Sequence, residues 1–211
     1  MPRPKRRSAA RYWPAAAAAS VFLYIVWLPD PKPLKTKNPT TTAYIELRRK
    51  QALASGKKFH LAWTFTPFDK IAQPLKDAVI MSEDGSFWRH RGIDWEAVRE
   101  AGEVNLAKGR FAYGGSTITQ QVARNLYLSP SKNPLRKAKE ALITWRLEKV
   151  LGKRRIFELY LNIAEWGPGV FGCEAAARRY YGKSAAELSY EEAAALASVL
   201  PSPRKWHPVK R

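Results

Sequence analysis

The sequence predicts a mainly α-helical protein, and three observations indicate this fold class. Apolar residues recur at the three-to-four-residue spacing of a helix, most clearly at Ile156, Leu159, Tyr160 and Ile163. Residues that favour helix starts precede other apolar stretches, namely Pro74, Asp94 and Pro134. Neither regularly spaced strands nor an alternation of strand and helix patterns is visible, which disfavours β and α/β classes.

Local signals predict each element in order. Residues 44–54 have the mixed polarity of a surface helix, and residues 59–65 alternate loosely enough to form a short extended segment. Helices are predicted over 74–82, 95–108 and 134–150, and a further helix begins at a Ser116 or Thr117 cap. Helical spacing continues over 156–163 and, more loosely, over 188–200.

The composition is that of a folded domain and excludes a disordered chain and a disulfide-rich protein. The chain has 211 residues, of which 45% are hydrophobic and 12% aromatic, enough for one modest domain with a core and too many for global disorder. Its one cysteine, Cys173, excludes an intramolecular disulfide framework. The three histidines, His60, His90 and His207, lack the short spacing of a zinc site, so no metal ligands are assigned.

The net charge of +19 points to an anionic partner. Residues 1–50 hold 11 basic and 2 acidic residues, and residues 51–211 hold 26 and 16, so the two parts carry +9 and +10. Nucleic acid, anionic lipid and phosphate-bearing substrates all fit this charge, and composition alone leaves the three open.

The first 28 residues predict a membrane anchor. Residues 1–11 form a basic tail, and residues 12–28 carry no charge over 17 positions. As a helix they would reach roughly 25 Å, slightly less than the ~30 Å hydrocarbon core. A cleaved signal peptide is the alternative, but no small-x-small cleavage site follows the run. Since the basic cluster precedes the run, we expect a single pass of the inner membrane, with the tail cytoplasmic and the body periplasmic.

Residues 29–58 then form a proline-spaced linker and a leading helix.

Two acids are candidates for chemistry. Glu83 follows an apolar helix and precedes aromatic and glycine residues, a setting that can raise the pKa of a carboxyl group and make it a general base or acid. An ordinary helix end with Asp84 tying the turn is the alternative. Glu140 lies among the cations Arg136 and Lys137 on a helix that is apolar on two sides, so we expect it to be buried rather than a solvated ion pair.

A third candidate is the glycine-led segment over residues 114–121. Its glycine pair runs into the predicted helix cap at Ser116 or Thr117, and free backbone N–H groups at a helix start attract an anion such as phosphate. The spacing of a nucleotide-binding Walker loop is missing. An ordinary capped helix with a flexible entry is the alternative.

Five ordered blocks together resemble the family-51 peptidoglycan glycosyltransferases, and within them the monofunctional branch. The resemblance covers about residues 59–208. The blocks run from Glu83 to Asp94, from Gly114 to Gln121, from Arg136 to Glu140, from Lys153 to Asn162, and from Gly169 to Gly182. The resemblance implies a lysozyme-like α fold over 59–211 and the polymerisation of lipid II into glycan strands at the outer face of the cytoplasmic membrane.

The resemblance also assigns roles to residues. It implies that Glu83 deprotonates the 4-hydroxyl of the acceptor GlcNAc for a single inverting attack on the donor. Glu140 is the second catalytic residue that it implies, and it would orient or balance the cations at the pyrophosphate. The substrate-binding set that it implies is Ser116, Thr117, Gln120, Gln121, Arg124, Lys132, Arg136 and Lys137. Of these, Ser116, Arg124, Lys132 and Arg136 would face the donor pyrophosphate. Position 124 is Arg where many relatives have Lys, and position 132 is Lys where many have Arg. Both positions keep a positive charge, but the guanidinium that can bind a phosphate through two N–H groups is at position 124 instead of 132.

The implied partners are lipid II, the growing glycan chain, the membrane and other cell-wall synthesis or division proteins, with no nucleic acid. The sequence assigns no definite cofactor, and the carboxylates could support a divalent cation, Mg or Mn, near the pyrophosphate. Two other classes remain alternatives on the residues alone. One is a lysozyme-like muramidase that cleaves glycan, and the other is a noncatalytic basic binding module or scaffold.

Overall fold

The fold is mainly α-helical, as the sequence predicts. The computed structural model describes residues 12–109, 114–130 and 133–209. Within them, the α-helices are α1 (Trp13–Val26), α2 (Ala43–Ala54), α3 (Gln73–Glu83), α4 (Trp95–Ala107), α5 (Ile118–Tyr127), α6 (Pro134–Val150), α7 (Lys153–Ile163), α8 (Cys173–Tyr181) and α9 (Tyr190–Ala197). Short 3-10 turns over Lys32–Lys35, Phe68–Lys70 and Ala185–Glu187 connect them.

The predicted helix starts are confirmed by their caps. The Asp94 carboxylate accepts the backbone N–H of Ala97 at 3.0 Å and so begins α4. At α5 the cap is Thr117 rather than Ser116: its hydroxyl accepts the N–H of Gln120, whose side chain in turn accepts the N–H of Thr117. Helix α6 begins at Pro134 and ends at Val150, the two predicted limits.

Helices α5 and α7 form the centre of the core. Seven of the 11 residues of α7 are buried, and the helix packs against α5, α6 and α8. On the other side, α3 packs along α9. Glu83 lies at the end of α3 and Glu140 lies inside α6, so the positions of both catalytic candidates depend on packed helices rather than on a loop.

A small sheet closes one end of the core. The strands are β1 (Ala62–Trp63), β2 (Glu165–Gly167) and β3 (Val170–Phe171). Strand β3 lies in the middle, parallel to β1 with Ala62 opposite Val170 and antiparallel to β2. The loose alternation over 59–65 anticipates β1, but the β2–β3 hairpin is too short to give a period-two pattern in the sequence.

Gly169 in this hairpin gives a stability prediction. Its φ is +74°, and a Cβ there would lie 2.3 Å from the backbone carbonyl oxygen of His60, in the segment that leads into β1. We expect Gly169→Ala to lower the free energy of unfolding by about 3 kcal/mol, because it combines backbone strain with a clash against main chain. The measurement is urea unfolding of both proteins.

Gly102→Ala is the matched control. Gly102 lies inside α4, and a Cβ there would meet nothing within 4 Å. Alanine should raise the free energy of unfolding at this position, by up to ~1 kcal/mol, because it has the higher helix propensity. Equal stability of the Gly169→Ala variant and the wild type would contradict the clash argument.

The N-terminal helix is shorter than the predicted anchor. Helix α1 has 14 residues, against the 17 predicted, and packs against α6. The Lys139 ammonium lies 4.3 Å from the centre of the Tyr24 ring, and Arg146 donates to the carbonyl of Leu28. In the described part of the chain, no helix combines the length and the apolar content needed to cross a membrane.

Part of the predicted linker packs onto the body. Leu34 is buried in the core. The Arg155 guanidinium on α7 donates to the backbone carbonyls of Leu34 and Lys37 and to the side chain of Asn38. Arg155 therefore holds residues 34–38 against α7.

Candidate active site

Glu83 is the last residue of α3, and its side chain is held by α5. The side-chain N–H of Gln121 donates to Glu83 Oε2 at 2.7 Å. Helix α3 buries Leu75 and Val79 in the core, which fixes the helix that ends at Glu83. The sequence places Glu83 at a helix end, and the structure adds the partner that orients its carboxylate.

The neighbouring Asp84 joins the end of α3 to the start of α5. Its carboxylate accepts the free N–H of Ile118, in the first turn of α5, at 2.9 Å, and its two oxygens lie 3.0 Å from Nε2 of His90. Since Nδ1 of His90 accepts the N–H of Gly92, the ring proton is on Nε2 and points to Asp84. The Thr117 hydroxyl donates to the Gly92 carbonyl, which closes the network.

Tyr160 on α7 completes the surroundings of Glu83, a role that nothing in the sequence indicates. The Tyr160 side chain is buried, and its hydroxyl donates to Oε1 of Gln121 at 3.4 Å, within reach of Glu83 as well. This contact orients the Gln121 amide with its N–H toward Glu83. In the sequence, the apolar spacing of residues 156–163 makes Tyr160 look like an ordinary core residue.

Burial raises the pKa of the Glu83 carboxyl group above its ordinary value. Hydrogen bonds from Gln121 and Tyr160 and the positive charge of Arg124 act in the opposite direction without cancelling the effect. Burial also raises the pKa of the Tyr160 hydroxyl well above its usual range, and the Glu83 charge adds to this. Glu83 is therefore a stronger base than an exposed glutamate, and Tyr160 stays protonated.

Glu140 is buried, as the sequence predicts, and is held between two cations. Its exposed fraction is 0%, and it accepts from Arg136 at 2.6 Å and from the Lys137 ammonium. The same Lys137 ammonium donates to the Ser116 hydroxyl at 3.4 Å, just before α5. The ion pairs therefore link α6 to the glycine-led segment.

Arg124 lies near Glu83 on α5 with part of its guanidinium unused. Its charge acts on the Glu83 carboxylate, and its Nε is buried without a hydrogen-bond partner among the described residues. Buried N–H groups in proteins nearly always have partners, so this N–H is a ready donor for a ligand.

Two adjoining cavities surround these residues. One, about 400 Å³, contains Glu83 and Asp84 and is bounded by residues 114–117. The second, about 680 Å³, is mainly apolar, with Val98, Leu106 and neighbouring residues of α4 on one side and Lys137 on the other. Both include Ser116, so polar and cationic groups stand at the junction between the Glu83 cavity and an apolar cavity.

The structure places the other predicted binding residues as follows. Thr117 and Gln120 are buried and form the capping box of α5, so their side chains are engaged in holding the helix. Gln121 contacts Glu83. Lys132 lies outside the described residues.

Among the described residues, Asp84, His90 and Asp94 bring ligand-type atoms within 4.8 Å of one another. Their atoms already have partners: Asp84 accepts from His90 and Ile118, and Asp94 accepts from Ala97. We therefore interpret this cluster as a hydrogen-bond network that holds α3, α4 and α5 together. The divalent cation near the pyrophosphate stays a prediction.

Comparison with known proteins places the chain in a family. Residues 51–211 match the family model described as transglycosylase. A protein of Aromatoleum aromaticum named biosynthetic peptidoglycan transglycosylase is 52% identical over 169 residues, covering 80% of this chain and 74% of that protein. Proteins of the same name from Laribacter hongkongensis and Chromobacterium violaceum are 47% and 46% identical over 193 residues, each covering 91% of this chain and 85% of the relative. The chain belongs to the transglycosylase family.

Proposed function

We propose that this chain is a peptidoglycan glycosyltransferase that polymerises lipid II into glycan strands. Its family membership and its relatives, which are named biosynthetic peptidoglycan transglycosylases, support this activity. The activity implies lipid II and the growing strand as substrates and a place in the cell envelope. Within this proposal, the mainly helical body is a lysozyme-like domain.

One observation carries the proposal at the level of the site: the Glu83 cavity adjoins an apolar cavity, and Ser116 and Lys137 stand between them. A polyprenyl-pyrophosphate sugar has the same order of parts, with a sugar, an anionic pyrophosphate and an apolar chain. The sugar would lie beside Glu83, the pyrophosphate at the cations and the first part of the chain along α4.

The reaction requires one base and one stabilised leaving group. Glu83 would take the proton from the 4-hydroxyl of the acceptor GlcNAc as this oxygen forms a bond to C1 of the donor MurNAc. The bond from C1 to the pyrophosphate oxygen breaks, and the electron pair leaves with the pyrophosphate. Attack on the face opposite the leaving group inverts the configuration at C1.

The cations would stabilise the leaving pyrophosphate rather than the attacking hydroxyl. Pyrophosphate needs its developing negative charge neutralised more than it needs a proton. Arg124 has a buried free N–H, and Lys137 bridges Ser116 and the buried Glu140. Glu140 would hold the two cations of α6 in a fixed geometry, so that they are in place before the charge develops.

The test is polymerisation of purified lipid II by the full chain in detergent, with products resolved by size. We expect ladders of glycan strands that disappear on treatment with a muramidase. If the protein instead shortens preformed glycan and makes no ladder, a lysozyme-like hydrolase is the better description. If the folded protein does neither, the proposal is wrong.

Tyr160→Phe tests the surroundings of the base. Losing the hydroxyl removes a hydrogen bond that lowers the pKa of Glu83, so this pKa should rise further. Because Glu83 acts only when deprotonated, the rate should fall about tenfold at the acidic end of the pH profile and stay near wild type at the alkaline end. The measurement is the polymerisation rate against pH for both proteins.

A purely structural role for Tyr160 would give a different profile. In that case the rate would fall by the same factor at every pH, together with the unfolding temperature. An unshifted acidic limb in a stable Tyr160→Phe variant would contradict the positioning role.

We also propose that the N-terminal segment holds the chain at the inner membrane, with the body on the periplasmic side. The basic tail over 1–11 and the uncharged run over 12–28 support this. So do the exposed apolar side chains of α1, such as Phe22 and Leu23, and the exposed Trp145 of α6, the helix on which α1 packs. Tryptophan is typical of membrane interfaces.

Deleting residues 1–28 tests this attachment. The shortened protein should fold and lose most of its binding to anionic lipid vesicles in a flotation assay, while full-length protein floats with them. Equal flotation of the two proteins would assign membrane binding to the body instead.

A further inference from the structure

Another cavity, of about 330 Å³, is lined by the second half of α2, the segment that leads into β1 and the β2–β3 hairpin. Among the described residues that line it, none also lines the Glu83 cavity or the apolar cavity along α4. Its volume is within the ~300–1,000 Å³ of small-molecule sites. It is therefore a separate candidate site, and the proposed reaction does not use it.

The walls of this cavity are strongly cationic. Lys57 and Lys58 follow the end of α2, and Arg204 lies in a turn near the end of the described chain. All three are exposed, and none of them has an ion-pair partner among the described residues. Lysines after a helix end are favoured by the helix dipole, but this does not explain Arg204. The cavity therefore gathers positive charge from two distant segments of the chain.

Glu165 is the one carboxylate among the described residues that line the cavity, and its charge is already neutralised. Its two oxygens accept three hydrogen bonds from the Arg48 guanidinium on α2, at 2.6 to 3.0 Å. The Glu165 side chain is only 5% exposed, and such a bidentate pair is among the strongest of ion pairs. The charges left for a ligand are therefore those of Lys57, Lys58 and Arg204.

Hydrogen bonds between its walls hold the cavity in shape. The Arg48–Glu165 pair fixes α2 against the β2–β3 hairpin. On the other side of the hairpin, the Gly169 carbonyl accepts the N–H of Ala62 at 2.9 Å, which joins it to β1. A cavity that is formed in advance loses less free energy to ordering when it binds a ligand.

The other lining groups indicate an acidic peptide rather than a bare anion. The half-buried Phe59 ring and Pro168 supply apolar surface beside the cations. The Gln51 amide oxygen accepts from Arg48, so the amide N–H groups of Gln51 are the part that can donate to a ligand. A peptide that carries carboxylates meets all three kinds of group, since it also has apolar carbons and backbone carbonyls. An inorganic anion would use the cations alone.

We propose that the cavity lined by Lys57, Lys58 and Arg204 binds an acidic segment of another protein. This goes beyond the proposed function and does not depend on it. Because the cavity is separate from the Glu83 cavity, a partner held there would leave the catalytic candidates accessible to substrate.

The test is binding of a fluorescent hexaglutamate peptide to the full chain in detergent, followed by anisotropy. The double variant Lys58→Gln with Arg204→Gln removes one cation from each segment and should weaken binding about tenfold, which corresponds to ~1.4 kcal/mol. Ser55→Trp fills the cavity from an exposed position without changing the charge and should weaken binding by a similar factor. Both variants should polymerise lipid II at the wild-type rate.

Lys70→Gln with Arg179→Gln is the matched control. Both residues are exposed, neither lines the cavity, and the change in net charge is the same as in the cavity variant. Lys137→Gln is a second control, because it removes a cation that is proposed to face the donor pyrophosphate. Both controls should bind hexaglutamate as the wild type does.

Three results would overturn the inference. An equal loss of binding in the cavity variant and the matched control would show that the peptide responds only to net charge. A loss in Lys137→Gln alone would place the peptide at the pyrophosphate cations. A wild type that does not bind hexaglutamate, or whose cavity binds inorganic phosphate more tightly than the peptide, would exclude an acidic peptide as the ligand.

Peptide binding is measured without lipid II, so the two proposals fail separately. If the chain polymerises lipid II and the cavity variants bind the peptide like the matched control, the cavity inference fails and the proposed function stands. If the chain makes no polymer but binds the peptide through Lys58 and Arg204, the proposed function fails and the cavity stands as a peptide-binding site.

Discussion

The Glu83→Gln variant is expected to lose lipid II polymerisation by about 10²–10⁴-fold, the range that a positioned general base contributes. Glutamine keeps the shape of the side chain and can still accept from Gln121, but it cannot take the proton of the acceptor hydroxyl. The cations of α6 are untouched, so lipid II binding should stay close to wild type. The measurements are initial polymerisation rates and lipid II affinity.

The same variant should be at least as stable as the wild type. The pKa of Glu83 is raised by burial, so the folded protein holds this proton more tightly than the unfolded chain does. The stabilising contribution of Glu83 is therefore full below its unfolded pKa and is lost as the pH rises through the raised folded pKa. At neutral pH the ionised group costs free energy, and Gln removes that cost.

Glu103→Gln provides the control for the loss of one acidic charge, since Glu103 is 71% exposed on α4. It should leave both the rate and the unfolding temperature unchanged. A Glu83→Gln variant that polymerises at the control's rate would remove Glu83 from the role of base.

Glu140→Gln is expected to lower both stability and activity. The 0% exposed carboxylate neutralises Arg136, which is itself largely buried, and breaking such a buried pair costs about 3–5 kcal/mol of unfolding free energy. Polymerisation should fall by about 10²–10³-fold, because Arg136 and Lys137 lose the group that holds them for the leaving pyrophosphate. Urea unfolding and initial rates are the measurements.

A triple variant separates the two effects. Replacing Arg136 and Lys137 by Met together with Glu140→Leu removes every charge of the cluster, which should restore much of the stability. Activity should stay low, since the cations are gone. An active triple variant would show that the cluster only stabilises the fold.

Much of the secondary structure follows from the sequence because its signals are local. The Asp94 cap and the limits of α6 depend on residues within one turn of each other, and the structure confirms both. The structure also confirms the predicted burial of Glu140, but only one of the two apolar sides of α6 is buried. Leu142 and Trp145 on the other side are 37% and 57% exposed, so Glu140 is buried by the packing of α6 on α5.

The surroundings of Glu83 could not be predicted in the same way. Asp84 is 34 residues from Ile118, whose N–H it accepts. Tyr160 is 39 residues from Gln121, to which its hydroxyl donates. Helical spacing shows that Tyr160 faces the core, but it does not show which helix lies opposite. Only the docking of α7 on α5 turns this tyrosine toward the catalytic candidate.

The sequence by itself therefore determined the mainly α fold class, the family and the identity of the acids and cations, because composition, caps and motif blocks are local properties of the chain. The tertiary structure alone decided that Gln121 and Tyr160 surround Glu83, and that Lys137 joins Glu140 to Ser116. These contacts depend on how whole helices pack, and packing is set by the fit of many distant side chains at once.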